Sequence, residues 1–297
     1  MTILKESKQL DAGLYFVATP IGSARDITLR ALDILYSADL LIAEDTRSLK
    51  KLMDIHQIPL RRRKIISYHD HNGERKRPLI LKEIENGKSI SYCSEAGSPL
   101  IADPGFQLGR EVVKAGHKVF SVPGACALIA ALTVSGLPTN QFFYAGFLPT
   151  TKNMRIKFLE NLKEIPSTIV FYESPKRVNK SISDMLEVMG PDRSLVIARE
   201  LTKKFEEIIR TTLADVQLEL RNRVIKGEIV ILLGKENKSK PSTANIKELL
   251  SIEFREHTLK DSVANISIKT GINRSKVYKT ALELVKEAKI PESSSIS

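Results

Sequence analysis

The sequence predicts an α/β protein. It has a mostly parallel sheet over residues 13–138, an α+β region over 139–235 and a small helical domain over 245–290. Three observations predict this. Short apolar runs alternate with helical segments five times in the first part, the pattern of a parallel sheet with crossover helices. From about Gln141 onward, strands outnumber helices. After a polar, aperiodic linker at Lys235–Ala244, apolar residues return at helical spacing from Ile246 to Ile290.

Leu14–Thr19 is a compact apolar strand broken by Pro20, Ile21 and Gly22. Asp26 or Thr28 then starts a helix with apolar positions at Leu29, Leu32 and Leu35. The second strand, Leu40–Ala43, ends in Glu44, Asp45, Thr46 and Arg47. Four polar side chains at a strand end require water or a ligand, because burying them unpaired is costly. Asp45 or Thr46 equally fits a helix cap. A third strand, Ile65–Tyr68, runs into His69–Asn72, and a helix follows to Gly87.

The strand Ser89–Cys93 opens into SEAGSPLIADPG, residues 94–105. In open α/β sheets, ligands bind beyond the carboxyl ends of the strands. Gly97 and Gly105 remove bulk where backbone approaches a ligand, while Pro99 and Pro104 stiffen the loop. Glu95 and Asp103 are able to receive a hydroxyl, an amine or a proton. The helix Phe106–Ala115 and the strand Lys118–Val122 complete this part. Pro123, Gly124, Ala125 and Cys126 then precede a helix of small residues, whose free N–H groups are open to a ligand. No GxGxxG follows the first strand, which argues against a nicotinamide cofactor in the usual pose.

In the second part, Phe142–Phe147 and Thr168–Tyr172 read as strands flanking an amphipathic helix, Lys152–Leu162. A helix covers about Pro175 to Met189. The strand Leu195–Ala198 ends in Arg199, Glu200, Leu201, Thr202 and Lys203 and pairs with Glu206–Arg210 as a hairpin. Lys226, Gly227 and Glu228 lead the last apolar strand, Ile229–Leu233. Near the end, Ser267, Gly271 and Val277 have the spacing of a helix-turn-helix, though any small helical hairpin fits too. Arg274, Lys276 and Lys279 fall on the exposed face of its second helix.

Composition bounds the function. With 42% hydrophobic and 27% charged residues, the chain is ordinary for a globular protein. No apolar run approaches the ~20 residues of a membrane helix. The first ten residues include Lys5, Glu6 and Lys8 and lack a signal-peptide core, so a cytoplasmic protein is expected. Cys93 and Cys126 have no CxxC spacing and read as reduced, buried fillers. The net charge of +11 points to a polyanionic partner. Arg61, Arg62, Arg63 and Lys64 form one basic cluster; Arg75, Lys76 and Arg77 form another. His69 and His71 flank Asp70 between them, but no second carboxylate and histidine set is near, so no metal site is expected.

Eight motifs then occur in series: TPIGSARDIT (19–28), AEDTR (43–47), SEAGSPLIADPG (94–105), PGACA (123–127), GFLP (146–149), FYES (171–174), RELTK (199–203) and KGEIV (226–230). From about Leu14 to Leu233 the chain resembles the RsmI group of the tetrapyrrole-methylase superfamily. That group methylates a cytidine ribose 2′-hydroxyl in the decoding region of 16S ribosomal RNA. The helical C-terminal region also occurs in many members. Departures are Glu95 where the family usually has Asp, Ser98 where it has Thr, and Ala125 in place of a proline.

The resemblance implies a two-domain tetrapyrrole-methylase-like fold with S-adenosylmethionine folded between the domains against small-residue loops. Those loops place Pro20, Glu95, Ala96, Gly97, Ser98, Pro99, Pro123, Gly124 and Ala125 at the cofactor. It also implies a homodimer, with ribosomal RNA or the small ribosomal subunit entering across a basic surface, here Arg61, Arg62, Arg63, Arg75 and Arg77. Asp45, Glu200, Lys203 and Glu228 are unranked candidates for positioning or deprotonating the acceptor hydroxyl, and each equally fits a structural salt bridge. A lysine serves as base only where its pKa is lowered. Two rivals remain: a small-molecule tetrapyrrole methyltransferase and a non-catalytic nucleic-acid-binding protein. The basic clusters and the helical domain argue against the first, and the small-residue loops against the second.

Overall fold

The computed structural model describes residues 9–220, 223–235, 243–270 and 272–288. Contacts divide the chain into two compact units, one ending at Lys235 and one beyond it. The larger unit begins with alternating strands and helices. They are β1 (Gly13–Val17), α1 (Leu29–Ser37), β2 (Leu40–Ala43), α2 (Thr46–Ile55), β3 (Ile65–Ser67), α3 (Asp70–Glu85), β4 (Ser89–Cys93), α4 (Phe106–Lys114), β5 (Val119–Val122) and α5 (Ala127–Ser135). The five strands form one wholly parallel sheet in the order β3-β2-β4-β1-β5. Helices cover both faces, as such a sheet requires. One face packs Leu32, Leu35, Leu49 and Met53 from α1 and α2, and the other packs Ile80, Ile84, Leu108 and Val112 from α3 and α4.

Local chemistry sets the helix starts. Thr28 is the cap of α1, and its side chain accepts from Ala31 N at 3.1 Å. Asp45 is the cap of α2, accepting from Arg47 N at 2.8 Å. At α3 the Asn72 side chain reaches back to His69 N. The first strand ends at Val17 rather than at Thr19, because Thr19 leaves the sheet to exchange two backbone hydrogen bonds of 3.0 Å with Gly97.

The second part of this unit comprises β6 (Phe142–Phe147), α6 (Lys152–Leu162), β7 (Thr168–Glu173), α7 (Val178–Met189), β8 (Ser194–Arg199), β9 (Glu207–Thr212), α8 (Leu213–Leu220) and β10 (Ile229–Leu233). Its sheet has the order β6-β7-β10-β8-β9; β6 and β7 are parallel and the other pairs antiparallel. The β8–β9 hairpin is present as expected, whereas α8 has no counterpart in the sequence reading. Central strand β10 is buried along its whole length, consistent with its unbroken IVILL run. One face carries α6, α7 and α8. The other receives α5, whose Leu128, Ala131 and Leu132 pack on Val170, Val196 and Leu232. Thus the helix following β5 belongs by packing to the second sheet. Burying each such leucine contributes about 1.5–3 kcal/mol.

The smaller unit contains α9 (Thr243–Glu253), α10 (Leu259–Thr270) and α11 (Arg274–Ala288). It has its own core of Ile246, Leu250, Val263, Ile266, Ile272, Val277 and Ala281. The expected linker is largely residues 236–242, which, with Gly271, Lys289 and Ile290, lie outside the described residues. No helix among the described residues is long and apolar enough to cross a membrane.

Candidate functional site

The carboxyl ends of the first sheet face the ends of β6 and β7 and the start of β10 across a cleft of about 620 Å³. On the first side, three loops are laced together. Thr19 and Gly97 pair backbone to backbone, and the Ser98 hydroxyl donates to Ala125 O at 3.1 Å. Gly97 has φ +85°, and a Cβ there would meet Ile21 at 3.3 Å. Leu100 (φ +72°) and Ala102 (φ +63°) also adopt left-handed backbone, so this loop holds strain of about 1–3 kcal/mol per residue. Tyr92, buried in β4, donates to Pro104 O at 2.6 Å and anchors the loop's far end.

On the second side, the Arg199–Lys203 turn packs directly against the first. The backbone of Ser23 donates to Thr202 Oγ1 at 3.0 Å, and a Cβ on Gly22 would lie 2.5 Å from that oxygen. Lys203 Nζ donates to Glu200 Oε1 and Glu228 Oε2, both at 3.0 Å. Glu200 Oε1 also accepts from Glu228 N at 2.9 Å. This is why Gly227 stands where it does: a Cβ there would sit 2.5 Å from Glu200 Oε1. Below the turn, the wholly buried Glu173 carboxylate accepts from Ser174 N, Arg177 Nε and Ser181 Oγ at 2.6–2.8 Å. Arg177 in turn donates to Leu148 O, tying the FYES and GFLP segments together.

Of the residues singled out from sequence, Pro20, Glu95, Ala96, Gly97, Ser98, Lys203 and Glu228 line the cleft. Pro99, Pro123, Gly124 and Ala125 are absent from its lining. Gly124 packs behind it, where a Cβ would lie 2.9 Å from Ala18 Cβ. Glu200 holds Lys203 in place. Asp45, another of the candidates, is also absent from the lining. Asp45 serves as the helix cap and pairs with Arg47 at 3.2 Å, while its neighbours Glu44 and Ser48 line the cleft. The hydrogen bond from the Arg47 guanidinium, with that from its backbone, holds the Asp45 carboxyl below the usual range.

The charged groups of the cleft differ from one another in acid–base character. Burial alone would lower the Lys203 pKa, but the hydrogen bonds to Glu200 and Glu228 outweigh it and hold the ammonium above the ordinary lysine value. Lys203 is therefore a fixed cation and a poor proton acceptor. The hydrogen bond from Glu228 N, followed by that from Lys203, keeps Glu200 ionised below the usual range. Asp103 is the contrary case: burial, then the Glu44 charge, push its carboxyl up to about 6, with the Ser94 hydroxyl partly offsetting them and Glu95 adding to the rise. Its place in the ADPG segment was legible, but burial beside two acids was not. Tyr172 also lines the cleft; its hydroxyl accepts from Leu128 N at 3.2 Å, and burial raises its pKa.

Both basic clusters are divided by the structure. Arg63 donates to the carbonyls of Leu35, Ala38, Pro59 and Leu60, so it clamps the α1 C-terminus. Arg77 pairs with Glu111 at 2.8 Å. Arg61 lies over the Tyr36 ring, and Arg61, Arg62 and Arg75 are exposed. The His69 and His71 rings meet edge to face at 5.9 Å. No group of three or more possible metal ligands gathers among the described residues. Cys93 is buried, and burial pushes its thiol up to about 12; Cys126 is partly exposed at the cleft wall, not the fully buried filler expected.

Comparison with known proteins places this geometry. Residues 13–217 match the family model described as Tetrapyrrole (Corrin/Porphyrin) Methylases. A relative from Mesorhizobium japonicum is 39% identical over 279 residues, covering 94% of this chain and 94% of its own. One from Vibrio cholerae is 40% identical over 275 residues, covering 91% and 94%. Both carry the name "Ribosomal RNA small subunit methyltransferase I". Among solved structures, cobalt precorrin-4 methyltransferase CbiF is similar with TM-score 0.57 and 20% identity, over 74% of this chain and 94% of its own. Uroporphyrin-III C-methyl transferase from Thermus thermophilus, complexed with S-adenosyl homocysteine, is similar with TM-score 0.52 and 19% identity, over 74% and 96%.

Proposed function

Because the chain belongs to the tetrapyrrole methylase family, within the group of relatives named ribosomal RNA small subunit methyltransferase I, we propose that it is an S-adenosylmethionine-dependent RNA methyltransferase. Its acceptor is the ribose 2′-hydroxyl of a cytidine in small-subunit ribosomal RNA. The observation that carries this reading is the cleft itself. A small-residue loop with Gly97 at φ +85° forms one wall, and a hydrogen-bonded lysine and a largely buried aspartate of raised pKa line the same cavity. The volume of about 620 Å³ suits a ligand of nucleoside size.

The backbone of Glu95–Ser98 would hold the cofactor, since the missing side chain at Gly97 leaves the wall open there. Bound S-adenosylmethionine supplies an electrophilic methyl group. The protein aligns the acceptor oxygen with that methyl and excludes water, an effect that reaches roughly 7–11 kcal/mol in well-oriented systems. Asp103 takes the hydroxyl proton. Its pKa of about 6 leaves it mainly ionised at neutral pH yet basic enough to work, and such a group contributes ~10²–10⁴-fold. Lys203 orients the acceptor as a cation, with Glu200 and Glu228 holding it. Arg61, Arg62 and Arg75 offer phosphate contacts, while Arg63 and Arg77 maintain the surface that carries them. The protein acts as a homodimer in the cytoplasm; exposed Phe142 and Phe143 on edge strand β6 support a subunit contact.

Titration with S-adenosylmethionine, then single-turnover transfer to small-subunit ribosomal RNA with mapping of the methylated ribose, tests the proposal. One 2′-O-methylated cytidine is the expected product. Transfer to a base atom, or cofactor binding unaffected by Gly97→Val, overturns it.

A further inference from the structure

The C-terminal unit carries a surface that the cleft chemistry leaves unused. Helix α11 has two unlike faces. Val277, Thr280 and Ala281 are buried against α9 and α10. Arg274, Ser275, Tyr278, Lys279 and Leu282 recur at three- and four-residue spacing on the other side, and all are exposed. Lys276 is exposed beside them. The charge on this stretch is one-sided. From Ser262 to Leu282 the chain carries Lys269, Arg274, Lys276 and Lys279 and not one acidic residue. Acids lie just outside it, at Glu253, Glu256, Asp261 and Glu283. Mixed signs are usual on a face that is merely solvated, and they return in α11 only beyond Leu282, at Glu283, Lys286 and Glu287.

The face is also held rigidly. The Ser267 hydroxyl donates to Ile272 O at 2.7 Å across the α10–α11 corner. Asn273 caps α11, accepting from Ser275 N at 2.9 Å. Tyr278 is 46% exposed, so its ring remains open to solvent amid positive charge. Basic side chains around an exposed aromatic ring form the stacking platform by which proteins take unpaired nucleotides. A base paired inside a duplex keeps its faces stacked and offers none to such a ring.

We propose that the exposed face of α11 binds single-stranded RNA, with Arg274, Lys276 and Lys279 on phosphates and Tyr278 stacked on a base. The identity of that RNA as small-subunit ribosomal RNA rests on the function proposed above; the surface itself does not.

The test uses the full chain, without cofactor, and a single-stranded fragment of small-subunit ribosomal RNA, with affinity read by fluorescence anisotropy across a salt series. The triple variant Arg274→Ala/Lys276→Ala/Lys279→Ala should bind at least tenfold more weakly. It should also lower the steepness of the salt dependence by about 2, since each lost contact removes ~0.7. Tyr278→Ala should weaken binding roughly tenfold while Tyr278→Phe keeps it, the signature of stacking rather than of the hydroxyl. All four positions are exposed, so the variants should unfold at the parental temperature. Methyl transfer at saturating RNA should be parental as well. A parent that binds RNA through this face yet methylates none would sink the enzymatic reading and leave this one standing. A triple variant with parental affinity and salt slope overturns the platform. So does a Tyr278→Ala variant with parental affinity, or a loss seen for duplex DNA only.

Discussion

The two walls of the cleft are built on opposite principles. The first-sheet wall is built around a loop of small residues, Ala96, Gly97 and Ser98, and that loop stores strain at Leu100 and Ala102. The second-sheet wall is charge: Lys203, Glu200 and Glu228 form one network, with Glu173 and Arg177 beneath it. The difference predicts that binding and turnover are separable here. A wall of backbone recognises a ligand by shape, whereas fixed charges act on an acceptor whose charge changes during reaction. Three acids also stand on the small-residue side: Glu44 and Glu95 line it beside Asp103, whose pKa is raised by burial and by those neighbours.

The largest expected effect breaks the first wall. Gly97→Val fills the space before Ile21 and forces a branched residue into left-handed backbone. Calorimetric titration should show loss of S-adenosylmethionine binding, with about 1–3 kcal/mol of stability lost to strain. Its counterpart on the charged wall, Gly227→Val, displaces the Glu200 carboxylate. That variant should keep cofactor affinity and lose turnover. If both variants lose the same parameter, the division of labour between the walls is wrong.

Asp103→Asn should come next, lowering single-turnover transfer by ~10²–10⁴-fold with near-normal cofactor binding. The parental rate should rise as pH passes about 6, where Asp103 loses its proton, and the variant should lack that ionisation. The sign of the stability effect is independent of catalysis. The folded protein holds this proton more tightly than the unfolded chain does. Asp103's contribution to stability is therefore present below the ordinary carboxylate value and lost as pH rises through about 6. Thermal melts at pH 8 should show Asp103→Asn at least as stable as the parent.

Beneath the charged wall, Glu173→Ala strands Arg177 and opens three hydrogen bonds, which should cost about 3–5 kcal/mol in urea unfolding. The smallest effect belongs to Asp45→Asn. Asparagine caps a helix as well as aspartate, so stability and turnover should both stay near parental. A large loss of turnover in Asp45→Asn would return that residue to the acceptor site and add a second working acid to the first wall beside Asp103.

Much of this arrangement was legible in the sequence because its signals are local. Apolar runs of period 2 and 3.6 marked the strands and most helices, and strand ends crowded with glycine, proline and small residues marked the cleft loops. What failed to show depended on contacts between distant residues. Two adjacent acids, Glu44 and Asp45, look alike in sequence, yet one faces the cleft and the other caps a helix. Arg63 and Arg77 look like their exposed neighbours, but carbonyls and a carboxylate from other elements engage them. The Gly22 loop and the Lys203 turn meet through a hydrogen bond spanning 179 residues. By itself, then, the sequence determined most of the elements, their order and which strand-end loops border the cleft, because periodicity and turn chemistry act over a few residues. The tertiary structure decided which side chain in each motif reaches the cleft and in which protonation state, because burial and charge neighbours arise only when distant segments pack.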